Sequence, residues 1–167
     1  FLQGALGRSD VTTGLLLTPW PLATMIMAPL AGRLVERIHA GILGGIGMTI
    51  FATGLFLLAI LPDNPTNTDI IWRLFICGAG FGLFQTPNNS TIISSAPSNR
   101  SGGASGMLGT ARLLGQTLGA TLVAMIFNLV PNNSTQACLY LATGFAVVAA
   151  IISSLRISQP RPLKGFK

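Results

Sequence analysis

Five long runs of apolar residues, separated by short turn-forming segments, dominate this sequence. Only 8% of its 167 residues are charged and 50% are hydrophobic, whereas a soluble domain carries about 25% charged residues. A membrane-spanning helix needs roughly 20 mostly apolar residues, and a soluble helical protein would need polar outer faces that these runs lack. The sequence therefore predicts an all-α integral membrane protein with helices over residues 14–32, 40–61, 70–95, 102–130 and 136–155.

Basic residues are distributed unevenly between the two ends of the predicted spans. One face would carry seven of them: Arg33, Arg37, Arg100, Arg156, Arg161, Lys164 and Lys167. The other face would carry Arg8 together with Asp10, Asp63 and Asp69. Because Lys and Arg accumulate on the cytoplasmic side, we predict an N-terminus outside and a C-terminus in the cytoplasm, with residues 158–167 as a basic cytoplasmic tail. The basic residues form no patch with interleaved aromatics, so we expect no nucleic-acid partner.

The third predicted span contains the polar stretch "QTPNNST". Gly78, Gly82, Gln85 and Asn89 follow one another at intervals of four, three and four residues, so they share one helical face. The half of that face with small residues, Gly78 and Gly82, suits close helix packing. The polar half either lines a water-filled cavity or forms hydrogen bonds to neighbouring helices. We take Gln85, Asn88 and Asn89 as candidate cavity-lining or substrate-binding residues.

An arginine lies near the middle of the fourth predicted span. Ser105, Gly109, Arg112 and Gln116 share one face of this helix. An arginine at this depth costs at least about 2.5–3.5 kcal/mol unless it is paired or hydrated. Arg112 and Gln116 are therefore further candidate cavity-lining or substrate-binding residues. The alternative is a structural arginine that caps carbonyls or extends to the headgroups.

Glycine spacing and one pair of charges give two structural predictions. The pairs Gly102–Gly106 and Gly115–Gly119 predict tight packing of the fourth span against other helices. Arg73 follows Asp69 by four residues, which predicts an ion pair at the outer boundary of the third span.

The sequence offers no set of residues for catalysis or for a cofactor. It contains one histidine and two widely separated cysteines, so no metal site is predicted, and it lacks a phosphate-binding glycine loop with lysine. We therefore expect no cofactor and no enzyme activity. All four acidic residues lie at span boundaries, so a carboxylate that couples transport to protons would have to lie outside this chain.

The segment "APLAGRLVERIHAG" resembles the cytoplasmic loop signature of the major facilitator superfamily. Gly32, Leu34, Glu36 and Arg37 have the spacing of that signature, although Glu36 stands where the family usually has aspartate and His39 where it has glycine. The stretches "FLQGALGRSDVTTGLLLTPWPLA" and "PSNRSGGASGMLGTARLLGQTLGATL" resemble the last third of the fourteen-helix drug–proton antiporter branch.

The resemblance implies an incomplete C-terminal bundle, residues 1–157, holding five of its six helices. The sequence has no initiator methionine, so we expect a fragment whose N-terminal bundle is missing. The resemblance further implies a proton-coupled multidrug exporter of the bacterial inner (plasma) membrane, which moves small amphipathic or cationic substrates by alternating access. The alternatives are a metabolite or sugar carrier of the same superfamily and a truncated membrane protein that does not transport.

The signature residues are implied to influence the conformation of the transporter. Gly32 would let two helices approach closely, and Glu36 would accept hydrogen bonds from a neighbouring helix N-terminus or an arginine. The alternative is an ordinary charged helix end that reaches the headgroups.

Overall fold

A computed structural model of the chain describes residues 9–62, 64–97, 100–131 and 133–155. These residues form helices and connecting turns, with no strand among them. The helices are α1 (Asp10–Leu17), α2 (Pro19–Val35), α3 (Ala40–Ala59), α4 (Asn67–Ser94), α5 (Ser101–Leu129) and α6 (Ser134–Leu155). The predicted tail at residues 158–167 lies outside the described residues, as do Arg8, Asp63 and Arg156.

Four helical segments are long and apolar enough to cross a membrane: Asp10–Val35, Ala40–Ala59, Ser101–Leu129 and Ser134–Leu155. They coincide with four of the five predicted spans, and the all-α membrane fold is confirmed. The remaining predicted span corresponds to α4. This helix has 28 residues and so is long enough, but Arg73 and its polar stretch make it less apolar than the others.

The first predicted span is divided into α1 and α2 at Thr18, where the sequence prediction had one continuous helix. Pro19 and Pro21 lack the amide hydrogens that would continue the hydrogen-bond ladder from α1. Thr18 compensates in part, since its backbone amide donates to Leu15 O (3.2 Å) and its hydroxyl donates to Gly14 O (3.0 Å).

Helix α4 lies between α2 and α3, and α6 packs against α3. Glycines allow the backbones of α3 and α4 to touch, because a Cβ added at Gly47 would lie 2.7 Å from Phe84 N. An aromatic cluster joins three helices: the ring centroids of Trp20, Phe51 and Phe81 lie 5.6 to 6.1 Å apart. Helices α2, α3 and α4 thus form a closely packed unit.

For its length, helix α5 packs less than any other described helix. It makes few contacts, with α4 and α6, and none of its residues is buried. A Cβ added at Gly102, Gly106, Gly115 or Gly119 would meet nothing within 4 Å. The predicted tight packing at these pairs is therefore wrong within the described part of this chain. Spacing shows that a glycine face exists, but it does not show which helix covers it.

Candidate functional site

The small half of the predicted α4 face packs directly against α2. A Cβ at Gly78 would collide with Trp20 O, and one at Gly82 would lie 3.0 Å from Thr24 O. The Thr24 hydroxyl lies within hydrogen-bond distance of Trp20 O in its own helix (3.0 Å) and of Gly78 O across the seam (3.1 Å). Close helix packing at this half of the face is confirmed.

The polar half of the same face follows towards the C-terminal end of α4. Gln85, Asn88 and Asn89 are each half-buried, so their amides lie at the edge of the packed unit. From Gly78 to Asn89 the axial distance is about 16 Å at 1.5 Å per residue. The seam ends at Gly82, and Gln85 follows it by three residues, or about 4.5 Å, so the amides begin directly beyond the packed seam.

Hydroxyl groups beside these amides are satisfied within α4 itself. Thr91 donates to Pro87 O (2.8 Å) and Thr86 donates to Gly82 O (3.4 Å). Pro87 is buried and lacks an amide hydrogen, so the Leu83 carbonyl loses its usual donor within the helix. The side-chain amides and the exposed Ser90 therefore supply the remaining polar chemistry of this segment.

Arg112 and Gln116 lie on a different surface, on α5. Both are exposed, as is every residue from 109 to 121. Since α5 has no buried residue, Arg112 and Gln116 do not pack together with the amides of α4. The structure thus places the candidate residues in two sets, one half-buried on α4 and one exposed on α5.

Arg73 bridges two helices. Its Nη1 donates to Leu57 O at 2.8 Å, and its guanidinium carbon lies 5.1 Å from the ring centroid of Trp72. Leu57 is one of the last four residues of α3, whose carbonyls have no partner within their own helix. Arg73 therefore caps α3 from α4, a partnership that sequence spacing could not show.

Asp69, the predicted ion-pair partner of Arg73, is engaged elsewhere. Its Oδ2 accepts hydrogen bonds from the Thr66 hydroxyl (2.6 Å) and the Thr66 backbone amide (3.2 Å), which completes a capping box at the start of α4. These hydrogen bonds hold the pKa of the Asp69 carboxyl below its usual range, and the charge of Arg73 adds only a smaller lowering of the pKa. The predicted direct ion pair is therefore wrong.

The signature residues lie where α2 ends. Leu34 packs on the cluster formed by Ala31, Leu43 and Leu83, so it anchors this end of α2 to α3 and α4. A Cβ added at Gly32 would meet nothing within 4 Å. The close helix approach predicted at Gly32 is therefore wrong in the described part of this chain.

The signature residues after Leu34 lie outside the packed core. Glu36 and Arg37 are exposed, and the Arg37 backbone amide donates to Leu34 O at 3.0 Å. His39 then begins α3, since its Nδ1 accepts from the Gly41 amide at 3.4 Å. The two charged side chains of the signature are thus accessible on a short turn.

No group of three or more His, Cys, Asp or Glu side chains in the described ranges could hold a metal ion.

Comparison with known proteins places the chain among transporters. The sequence profile of the Major Facilitator Superfamily matches residues 1–167. The chain is 64% identical over 161 residues to the uncharacterized transporter YebQ of Escherichia coli (strain K12), a match covering 96% of this chain and 35% of YebQ.

Two further relatives carry substrate classes in their names. The multidrug resistance protein Stp of Mycobacterium tuberculosis (strain H37Rv) is 32% identical over 126 residues, covering 75% of this chain and 23% of Stp. The riboflavin transporter RibZ of Clostridioides difficile (strain 630) is 28% identical over 127 residues, covering 76% of this chain and 28% of RibZ. The chain thus spans about a third or less of the length of these relatives.

Proposed function

The chain belongs to the major facilitator superfamily of transporters, and we propose that it forms part of the C-terminal bundle of a proton-coupled exporter of small amphipathic or cationic compounds. Membership in a transporter family argues for movement of a solute rather than its chemical conversion. The relatedness to Stp, a multidrug resistance protein, supports the exporter class.

The observation that carries this proposal is the exposed arginine of α5. Arg112 lies 11 residues after Ser101, which is about 16 Å along a helix of 29 residues. Near a bilayer centre, an arginine facing hydrocarbon costs about 2.5–3.5 kcal/mol or more. Its exposed surface, together with that of Gln116, therefore requires water or protein opposite it.

We propose that the rest of a longer transporter, including an N-terminal bundle, lies opposite Arg112 and Gln116. Small residues such as Gly109 and Gly115 leave room for another helix to approach α5 closely. An aqueous passage between the two bundles would hydrate Arg112 and receive the substrate. A proton-coupling carboxylate would come from the same remainder, since no acid lies within the predicted spans of this chain.

The half-buried amides of α4 supply a second polar surface for that passage. Gln85, Asn88 and Asn89 can each donate and accept hydrogen bonds, which suits substrates of varied chemistry. Alternating access would then rock the packed unit of α2, α3 and α4 against the other bundle. The charged turn at Glu36 and Arg37 would bias this motion from the predicted cytoplasmic side of a bacterial inner membrane.

A metabolite carrier is the second candidate, and the relatedness to the riboflavin transporter RibZ favours it. A sugar carrier has no such relative among those described above. If the chain exists in the cell without further helices, it would be a truncated membrane protein that does not transport.

An efflux assay on cells that express the complete gene tests the proposal. We expect export of cationic dyes, a loss of export in Arg112→Ala and Gln116→Ala, and partial activity in Arg112→Lys. Thr110→Ala is the matched control, because Thr110 is exposed on α5 and its hydroxyl binds only Gly106 O of the same helix.

Three outcomes would contradict the proposal. Unchanged export by Arg112→Ala would show that Arg112 does not line the transport passage. Proton-coupled dye export by residues 1–167 expressed alone would show that no carboxylate from elsewhere is needed. Riboflavin uptake without dye export would favour the metabolite carrier.

A further inference from the structure

An apolar cavity of about 160 Å³ lies where the ends of four helices meet. Leu17 of α1, Leu58 of α3, Leu74 of α4 and Leu139 of α6 all line it. This is the end of the bundle at which α3 ends and α4 and α6 begin, and it is the predicted outer end. From Leu74 to Gln85, the axial distance along α4 is about 16 Å, so the cavity is separate from the candidate transport residues.

The floor of this cavity is apolar and its polar groups are confined to one edge. Ala59 and Ile70, which also line it, are 1% and 2% exposed. The two polar lining residues, Thr135 and Gln136, both belong to the first turn of α6. Gln136 is exposed and Thr135 is half-buried, so polar atoms lie at the accessible side and aliphatic carbon lines the rest.

The size and lining of the cavity define the class of ligand. A water molecule needs two to four polar partners to occupy a buried site, and an apolar cavity of about 150 Å³ stays dry and binds benzene or xenon. A single aromatic ring fits the volume, whereas a charged or larger polar solute would lose hydration without compensating hydrogen bonds.

We propose that this cavity is a binding site for neutral apolar molecules no larger than one aromatic ring. A hydroxyl on such a ring can point towards the Thr135 and Gln136 edge. The site is distinct from the proposed transport passage, and its occupancy does not depend on transport activity. Because the ligand touches α1, α3, α4 and α6 together, binding stabilises the packing of these helix ends.

Diffraction from crystals of the complete protein tests the assignment directly. We expect an anomalous peak in the cavity after xenon pressurisation and after soaking with 4-iodophenol. Leu139→Trp places an indole in the cavity and should abolish both peaks. Leu141→Trp is the matched control, since Leu141 lies on the same helix, is 39% exposed and does not line the cavity; it should keep both peaks.

A second variant guards against misfolding of the first. Leu17 is 48% exposed, so Leu17→Phe can enlarge the side chain at the rim without disturbing a buried contact, and it should also weaken both peaks. The absence of a peak in the wild-type protein would overturn the proposal. So would peaks that survive in Leu139→Trp, or a lipid acyl chain or a side chain from the remainder of the protein that already fills the cavity.

Discussion

The substitution Gly80→Ala tests whether backbone contact between α3 and α4 holds the packed unit together. A Cβ at Gly80 would collide with Phe51 N and would lie 2.7 Å from Gly47 O and 2.9 Å from Phe51 Cα. All three atoms belong to the backbone of α3. No side chain can rotate away, so α3 itself would have to shift.

The size of the effect follows from two opposing terms. Alanine is favoured over glycine in a helix by about 0.8–1 kcal/mol. Forcing a methyl group into a closely packed site costs about 1–3 kcal/mol, and more where the backbone must move. With rigid backbone on the far side, the cost lies at the upper end, and we expect a net destabilisation of about 1–2 kcal/mol.

Gly144→Ala is the matched control for this substitution. Gly144 lies in α6, is exposed, and a Cβ there would meet nothing within 4 Å. Only the propensity term remains, so this variant should be as stable as the wild type or slightly more stable.

Thermal unfolding of the complete protein in detergent, followed by size-exclusion chromatography of heated samples, measures both variants. A change of 1 kcal/mol shifts Tm by about 2–4 °C in proteins of 150–250 residues, and by less in longer ones. Equal Tm values for Gly80→Ala and Gly144→Ala would refute the backbone contact between α3 and α4.

Three further predictions concern other parts of the chain. Thr24→Val removes the hydrogen bond from Thr24 of α2 to Gly78 O of α4 and should lower the free energy of unfolding by about 0.6 kcal/mol. The Thr53 hydroxyl binds only its own helix, so Thr53→Val should lower it by less. Equal Tm changes in the two variants would exclude a contribution from the bond between α2 and α4. Hydrogen bonds from Thr66 lower the pKa of Asp69 in the folded protein from its ordinary value of 3.8. The ionised carboxylate therefore stabilises the folded state fully above pH 3.8, and this stabilisation is lost as the pH falls through the lower pKa of the folded state. Tm measured from pH 6 to pH 3 should therefore fall less in Asp69→Asn, and an identical acid profile would contradict this. A Cβ added at Gly115 would contact nothing in this chain, but in the complete transporter we expect another helix to pack there. Gly115→Ala should therefore impair dye export and lower the Tm of the complete protein. A neutral result would mean that no helix covers α5 at this position.

The helices were predictable because length and apolarity decide them locally. A run such as residues 40–61 is long, uncharged and bounded by turns, and α3 occupies nearly the same residues, Ala40–Ala59. The break at Thr18 was also present in the sequence, in Pro19 and Pro21, but a span assigned from hydropathy alone passes over it. Local signals of this kind need no knowledge of neighbouring helices.

Partners across helices were not predictable in the same way. Spacing relates Arg73 to Asp69 because both lie on α4, yet the guanidinium binds Leu57 O on α3. Glycine spacing likewise identified close-packing faces on two helices, but only the face with Gly78 has a neighbour in the described residues. A single sequence gives the face of a helix, and the arrangement of helices determines what lies opposite.

The packing differences within the chain indicate where motion would occur during the proposed transport cycle. Backbone-to-backbone seams at Gly47, Gly78 and Gly80 leave no space for sliding, and close-packed interiors switch between discrete states rather than deform smoothly. Helices α2, α3 and α4, with α6 packed against α3, would therefore move as one body and carry the amides of α4 with them. Helix α5 has no such seam in the described residues, and its exposed face around Arg112 is where the rest of the transporter would meet this bundle. It follows that Arg112→Ala and Gln116→Ala should change transport more than stability, and substitutions in the glycine seams should do the reverse.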